Sequence, residues 1–198
     1  QLLARTGWAF VAVGPDDAII GAAHGTPPPW IRCIDGAEAW AILQAIRRSM
    51  PGTVYRTDSE SCVLSIEQGR TRSTAWHRPL ARVFNLIHSA ADDTPDGAVV
   101  WMPAHAKPGD VGQVPLSNGD MLTDEDVKWN DYADARAKLA VEAHRVPEHI
   151  RQRLAEHDTL VYDTALWLGI ATHLAGEASG WADRDALAVK MPRAPRPE

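Results

Sequence analysis

Residues 53–59 read Thr-Val-Tyr-Arg-Thr-Asp-Ser and lie between a Pro-Gly pair and a stretch with helical spacing. The run predicts a short buried strand over 53–58, because β-branched and aromatic residues favour strands and Pro-Gly ends the preceding helix. A helix over 59–68 is expected to follow. Asp58 therefore stands where a strand meets a helix, and it either caps that helix or contributes a carboxylate to a site.

The elements around this strand predict a layered α/β protein. Apolar runs on either side of a Gly14–Asp17 turn are typical of a β-hairpin, and apolar residues at spacings of three and four predict helices. The predicted elements are a hairpin over 7–14 and 18–25, helices over 36–48, 59–68 and 80–87, and a strand over 98–104. Their order predicts an α/β fold of the α+β layered kind, with helices flanking a mixed central sheet.

The second half of the chain predicts one more helix and then an extension. Residues 106–126 are irregular, with a hairpin turn expected at 117–120. Thr123 is a good N-cap, and the acids after it favour a helix that runs to about Arg145. Pro147 is expected to begin a new helix. We expect a main domain over 1–146, a helical extension over 147–190 and a disordered tail over 191–198.

Composition narrows the class of protein. The chain has 198 residues, a net charge of −6 and two cysteines, Cys33 and Cys62, without the spacing of a zinc site. No run of about 18 apolar residues is present, so no membrane association is expected. The first residues lack a signal-peptide pattern, so an intracellular location, nuclear or cytoplasmic and not secreted, is expected. The negative charge argues against binding nucleic acid through bulk charge alone.

Three acidic residues stand in separate contexts that can converge. Glu38 lies on one predicted helix, Asp58 ends a strand and Asp134 lies on a later helix, while His105 follows the strand over 98–104. Carboxylates that converge repel one another, so they persist where a divalent cation neutralises them. The pattern therefore predicts metal-assisted phosphodiester chemistry. The alternatives are solvated acids on helix surfaces, with Asp131 as the rival of Asp134, and an exposed loop histidine.

A basic segment follows the second predicted helix. Its candidate nucleic-acid-binding residues are Arg70, Arg72, Trp76 and Arg78. Arginine takes phosphates through paired hydrogen bonds, and an aromatic ring packs on a sugar or a base. A solvated linker with no binding role is the alternative for this segment.

Over residues 7–146 these features together resemble the ribonuclease H family, in its type 1 branch associated with retroelement reverse transcriptases. The resemblance is carried by four motifs in the family's order: Ala37-Glu38 with Ala41-Ile42, Thr57-Asp58-Ser59, Trp101-Met102-Pro103-Ala104-His105, and Asn130-x-x-Ala133-Asp134. It implies an RNase H-like fold and cleavage of the RNA strand of RNA–DNA hybrids. It also implies an upstream reverse transcriptase domain of the same polyprotein as a possible partner.

The resemblance also implies roles for the candidate residues. Glu38, Asp58 and Asp134 would be the ligands of two Mg²⁺ ions, with Mn²⁺ as a substitute, and His105 would assist proton transfer or product departure. The family has a basic, tryptophan-bearing segment between the same two helices, which corresponds to the segment around Trp76. Specificity for a hybrid would come from groove shape and 2′-hydroxyl contacts.

The sequence departs from the family at its first strand. An Asp-Gly-Ser strand is expected before the hairpin that begins at Gly7, and the chain shows none there and has no initiator methionine. We therefore expect that the chain is a fragment that lacks the first carboxylate. A non-catalytic nucleic-acid-binding or scaffold domain of the same fold stays open as an alternative, as does another nuclease or integrase of the same superfamily.

Overall fold

The structure is a computed structural model that describes residues 6–91 and 97–178. The chain separates into two compact units, residues 1–145 and 146–198. The described residues are a mixture of α and β structure, as predicted. Residues 179–190 of the predicted extension and the predicted tail over 191–198 lie outside the described residues. Among the described helices, none is both long and apolar enough to cross a membrane.

The predicted hairpin is confirmed. Strand β1, Trp8–Val13, pairs antiparallel with strand β2, Ile19–Gly25. The turn between them is closed by the Gly14 amide, which donates to the Ala18 carbonyl at 2.8 Å. Asp17 in this turn has a φ of 57°, in the left-handed region that aspartate tolerates better than most residues.

Four helices lie in the chain between the hairpin and residue 91. Helix α1 spans Ile34–Ile46, α2 spans Glu60–Glu67, α3 spans Gly69–Ser73 and α4 spans Ala81–Ala90. Periodicity predicted α1, α2 and α4, whereas α3 falls in the segment interpreted as a polar connection. Its helical form is supported by tertiary contacts, since the buried Ser73 hydroxyl lies 2.8 Å from Nε2 of His88 on α4.

Strand β3, Tyr55–Thr57, pairs parallel with strand β4, Val99–Trp101. The expected single mixed sheet is therefore not found among the described residues, which form two separate two-stranded sheets. The physical reason is that β1 and β3 share no hydrogen bonds, so each keeps one edge unpaired within the described part of the chain. Both strands nevertheless pack against α1, which lies across the two sheets.

Two apolar clusters lie on opposite faces of β4. Val99 joins the larger cluster, and Val100, its neighbour, joins the smaller one, because successive strand side chains point to opposite faces. The larger cluster consists of Ile31, Ala39, Ile42, Leu43, Ile46, Cys62, Val63, Val83, Phe84, Ile87 and Val99. It joins α1, α2 and α4 to the parallel strand pair.

The smaller cluster orders the segment that was expected to be irregular. Leu116 and Leu122 are buried against Val100 and Met102. The chain between them turns back through the Pro115–Met121 bridge, and the Leu116 amide donates to the Asp120 carbonyl at 2.8 Å. The predicted turn at 117–120 is thus confirmed, and residues 108–110 add a short 3-10 helix that was not predicted.

Helix α5, Asp124–Ala143, begins at the predicted cap. The Asp126 amide donates to Thr123 Oγ1 at 3.2 Å, and the Asp126 carboxylate accepts from the Thr123 amide at 3.0 Å, so the two residues form a capping box. Helix α5 packs on β1 and β2. In the second unit, helix α6 spans Glu148–Ala178, and its described side chains are largely exposed.

Candidate functional site

Asp58 follows β3 directly, and the end of the strand is held by hydrogen bonds on both sides. The Met102 amide donates to the Thr57 carbonyl at 2.9 Å, which keeps the parallel pairing to the last residue of the strand. The Ser59 amide then donates to Thr57 Oγ1 at 3.2 Å. Ser59 is buried and Asp58 is half-buried, so the carboxylate projects from a fixed backbone.

Glu38 reaches the same place from α1. Burial raises the pKa of Glu38; a hydrogen bond with Ser59 opposes the rise, and the charges of Asp58, Asp35 and Asp134 add to it. Ser59 is the residue after Asp58, so its contact with Glu38 joins α1 to the end of β3. The raised pKa has a simple cause, which is that a partly buried carboxylate sits in the field of other acids.

Helix α5 closes the site from a third direction. Nδ2 of Asn130 lies 3.5 Å from Oδ2 of Asp58, at the long limit of a hydrogen bond. Asp134 lies one helical turn further along, on the same face of α5 as Asn130. Asp134 is half-buried and near enough to raise the pKa of Glu38, whereas its rival Asp131 is exposed.

Glu38, Asp58 and Asp134 thus share one neighbourhood, supplied by α1, the end of β3 and α5. The three carboxylates do not form a closed coordination set, because no group of three His, Cys, Asp or Glu side chains in the described part of the chain is spaced to hold a metal ion. The donor chemistry fits a hard cation, since carboxylate and amide oxygens suit Mg²⁺ or Mn²⁺ better than zinc.

His105 lies in the loop after β4, apart from these contacts. Its side chain is exposed and its backbone has a φ of 50°, in the left-handed region. Within residues 6–91 and 97–178, no hydrogen bond or ion pair connects it to Glu38, Asp58 or Asp134. Its role therefore stays a prediction from the motif.

Two residues at the site were not predicted from the residue pattern. Asp35 lies in the first turn of α1, three residues before Glu38, and its charge contributes to the raised pKa of Glu38. Helical spacing of three, which places both on one face, was the available signal. Asn130 contacts Asp58 directly, although the sequence indicated it only as part of a motif.

The basic segment divides into engaged and available side chains. Arg70 on α3 donates to Oδ1 of Asn85 at 2.8 Å and to Ser89 at 3.2 Å, so its guanidinium is partly occupied by α4. Arg78 donates to Gln68 at 3.3 Å. Trp76 is 94 % exposed. Arg72 is also exposed, and no side-chain hydrogen bond or ion pair engages it among the described residues. Contact between this basic segment and nucleic acid therefore stays a prediction.

Comparison of the chain with protein-family models, with curated proteins and with solved structures finds no match.

Proposed function

We propose that the chain is a metal-dependent endonuclease with an RNase H-like fold, which hydrolyses the RNA strand of RNA–DNA hybrids as part of a retroelement polyprotein. The observation that carries the proposal is the convergence of Glu38, Asp58 and Asp134 from three different elements. The motifs that the chain shares with the ribonuclease H family contain these same three acids.

The three acids repel one another and so lower the stability of the fold, which favours a functional reason for their convergence. Gathering like charges around a partly buried Glu38 destabilises the fold, as the raised pKa of Glu38 indicates. A domain with a purely structural role would gain by losing one of the acids. A bound divalent cation offsets the repulsion, and Glu38, Asp58 and Asp134 would hold it.

Bound Mg²⁺ or Mn²⁺ would supply activation of water and stabilisation of the leaving oxygen of the phosphodiester. The protein's own side chains prepare the site for this. Ser59 forms a hydrogen bond with Glu38, and Asn130 lies 3.5 Å from Asp58, so each carboxylate has a polar neighbour that would help to orient it. The exposed imidazole of His105 would assist proton transfer or product departure.

The separate sheets also agree with the proposed fold. Strands β1 and β3 each keep an unpaired edge, and both pack on α1. A further strand paired with both would join the antiparallel and parallel pairs into one mixed sheet. We propose that a strand of this kind would bring a further carboxylate, as the Asp-Gly-Ser strand does in the ribonuclease H family.

The test is cleavage of an RNA–DNA hybrid labelled on its RNA strand, in Mg²⁺, by the chain extended upstream in its own coding sequence. We expect 5′-phosphate products from the parent protein and their loss in Asp58→Asn. The matched control is Asp131→Asn, because Asp131 is an exposed acid on the same helix as Asp134. Absence of metal-dependent cleavage in the parent, or equal activity in parent and Asp58→Asn, would reject the proposal.

The second candidate is a non-catalytic nucleic-acid-binding or scaffold domain. It is favoured by the spacing of the acids, none of which forms a metal-holding group of three in the described residues. In the same assay this domain would bind the hybrid without cutting it, and Asp58→Asn would leave binding unchanged. Cleavage of duplex DNA in place of the hybrid would instead indicate another nuclease of the superfamily.

A further inference from the structure

Two polar contacts join the end of strand β3 to helix α5, and their spacing along the strand matches their spacing along the helix. Arg56 on β3 forms an ion pair with Asp126 on α5. Asp58, two residues after Arg56, contacts Asn130, which lies four residues after Asp126. Two residues of extended chain advance about 6.6 Å and return to the same side of the strand. Four residues of helix advance about 6 Å and return to nearly the same face. The two contacts therefore match in both spacing and direction.

The contact between Arg56 and Asp126 is fixed by further hydrogen bonds. The Asp126 side chain is only 4 % exposed, and both of its carboxylate oxygens have partners. Oδ2 accepts from the Thr123 amide at 3.0 Å and from Thr123 Oγ1 at 2.7 Å, while Oδ1 accepts from Nη1 of Arg56. Arg56 also lies 3.9 Å from Asp120 through Nη2. The buried carboxylate therefore joins the beginning of α5 to the strand that ends at the site.

The next step along the same face of α5 is Asp134. Positions 126, 130 and 134 are four residues apart, so they form one stripe that faces Arg56, then Asp58, then the surroundings of Glu38. A slip of α5 by one residue would rotate this stripe by about 100° and carry it away from β3. The register of α5 therefore decides whether its acid reaches the site.

We propose that Arg56 is a positioning residue, which sets the register of α5 against β3 through Asp126 so that Asn130 and Asp134 face Asp58 and Glu38. The consequence for cation binding rests on the proposed function. The register itself is a property of the fold, and it can be measured without metal.

The test uses the full chain and four variants. Arg56→Met alone leaves Asp126 buried without its charge partner and risks failure to fold. The double variant Arg56→Met/Asp126→Asn removes both charges, so it leaves no buried unpaired carboxylate and keeps an amide oxygen for Thr123. Arg56→Lys restores the charge on a shorter side chain. Arg145→Met is the control, since Arg145 makes an exposed pair with Glu142 near the C-terminal end of α5.

Two measurements are made on each variant. Amide hydrogen exchange, without metal, is expected to quicken by about tenfold in the first two turns of α5 in the double variant and to stay unchanged in α1 and α4. Titration with Mn²⁺, followed by its electron paramagnetic resonance signal, is expected to give a dissociation constant about tenfold higher in the double variant. We expect Arg56→Lys to recover most of this affinity and Arg145→Met to match the parent.

The proposal is overturned if the double variant is folded and binds Mn²⁺ as the parent does, or if Arg56→Lys binds as weakly as the double variant. A parent chain that binds no Mn²⁺ at millimolar concentration would count against the proposed function and not against the register. In that case hydrogen exchange decides, and unchanged protection of α5 in the double variant would overturn the positioning role.

Discussion

Replacing Gly36 by alanine is expected to destabilise the protein, although the same change in an open helix is stabilising. Gly36 is buried in the first turns of α1, two residues before Glu38. In an exposed helix, alanine is more favourable than glycine by about 1 kcal/mol. At this position an added Cβ would lie 2.6 Å from Cγ2 of Ile31, 3.1 Å from Leu80 and 3.2 Å from Sγ of Cys33.

The magnitude follows from these three distances. The Ile31 methyl branches directly from its stiff Cβ, and Ile31 is only 5 % exposed, so it has little room to move. Overpacking a core by one methyl group costs about 1–3 kcal/mol, and three simultaneous close contacts favour the upper end of that range. After the gain in helix propensity, we expect a net loss of about 2 kcal/mol in the free energy of unfolding. The melting temperature should fall by about 4–8 °C.

The assay is urea unfolding followed by tryptophan fluorescence, with thermal unfolding in parallel. The matched control is Gly109→Ala, because an added Cβ at Gly109 meets no atom within 4 Å and its φ lies outside the left-handed region. We expect the control to change stability by less than about 0.5 kcal/mol. A Gly36→Ala variant as stable as the parent would contradict this prediction, because it would show that α1 can move away from Ile31 at no cost.

Three further predictions concern titration, reactivity and binding. Burial and neighbouring acids raise the pKa of Glu38 above its ordinary value of 4.5, so ionised Glu38 destabilises the folded state. Glu38→Gln should therefore raise the free energy of unfolding at neutral pH and leave it unchanged below about pH 4, where Glu38 is protonated in both the folded and the unfolded state. Urea unfolding at each pH measures this free energy, and a loss of stability at neutral pH would contradict the prediction. Burial raises the pKa of Cys62 to about 12, whereas Cys33 is exposed, so a thiol reagent should titrate Cys33 alone in the native chain and both thiols in denaturant. Arg72→Ala should weaken binding of a fluorescent hybrid more than Arg70→Ala, since the Arg70 guanidinium is already bonded to α4, and a larger loss in Arg70→Ala would contradict the assignment.

Local sequence patterns were sufficient to predict several of the helices and strands. The hairpin was predicted from apolar runs on either side of a turn, α1 and α4 from apolar residues at helical spacing, and the start of α5 from Thr123 and the acids that follow it. Helix α3 was missed because its polar residues give no apolar period. Its residues are held by contacts with α4, such as Arg70 with Asn85, that lie 15 positions apart in the chain.

The ordered segment between β4 and α5 shows the same limit. Its turn at 117–120 was visible in the sequence, but the burial of Leu116 and Leu122 depends on the second face of β4. Nothing in the local spacing of residues 106–122 indicates that partner. The single sheet was predicted from element order alone, and order does not specify which strand edges pair, so it was the coarse class that proved right.

The acids of the site were visible in the sequence, and the contacts that hold them were not. The stripe of positions 126, 130 and 134 can be read from spacing once α5 is recognised. The partners of this stripe cannot, because Arg56 lies 70 residues from Asp126 and Asp58 lies 72 residues from Asn130. Such pairs are chosen by the packing of the whole unit, which no local period encodes.

The opposite-charge contacts of α5 explain how a repulsive site can persist in the absence of a cation. The charges of Glu38, Asp58 and Asp134 act to push α5 away from α1 and the end of β3. Two attractive contacts lie within the first turns of the same helix. Arg56 pairs with Asp126 on one side, and Asp17 in the hairpin turn accepts from Lys128 at 2.9 Å and from the indole of Trp129 on the other.

The Lys128–Asp17 pair and the Arg56–Asp126 pair differ in strength. The Lys128 pair is half-exposed and contributes at most about 1 kcal/mol. Asp126 is 4 % exposed but Arg56 is 37 % exposed, so breaking their pair costs more than that, and less than the roughly 3–5 kcal/mol of a fully buried pair. The strand-side contact is therefore the stronger of these two polar contacts of α5. Since β1 and β3 share no hydrogen bonds, α1 and α5 are what hold the hairpin and the parallel strands around one site. Loss of the Arg56 pair should consequently disturb the carboxylates before it disturbs the larger apolar cluster, which joins α1, α2 and α4 to the parallel strand pair.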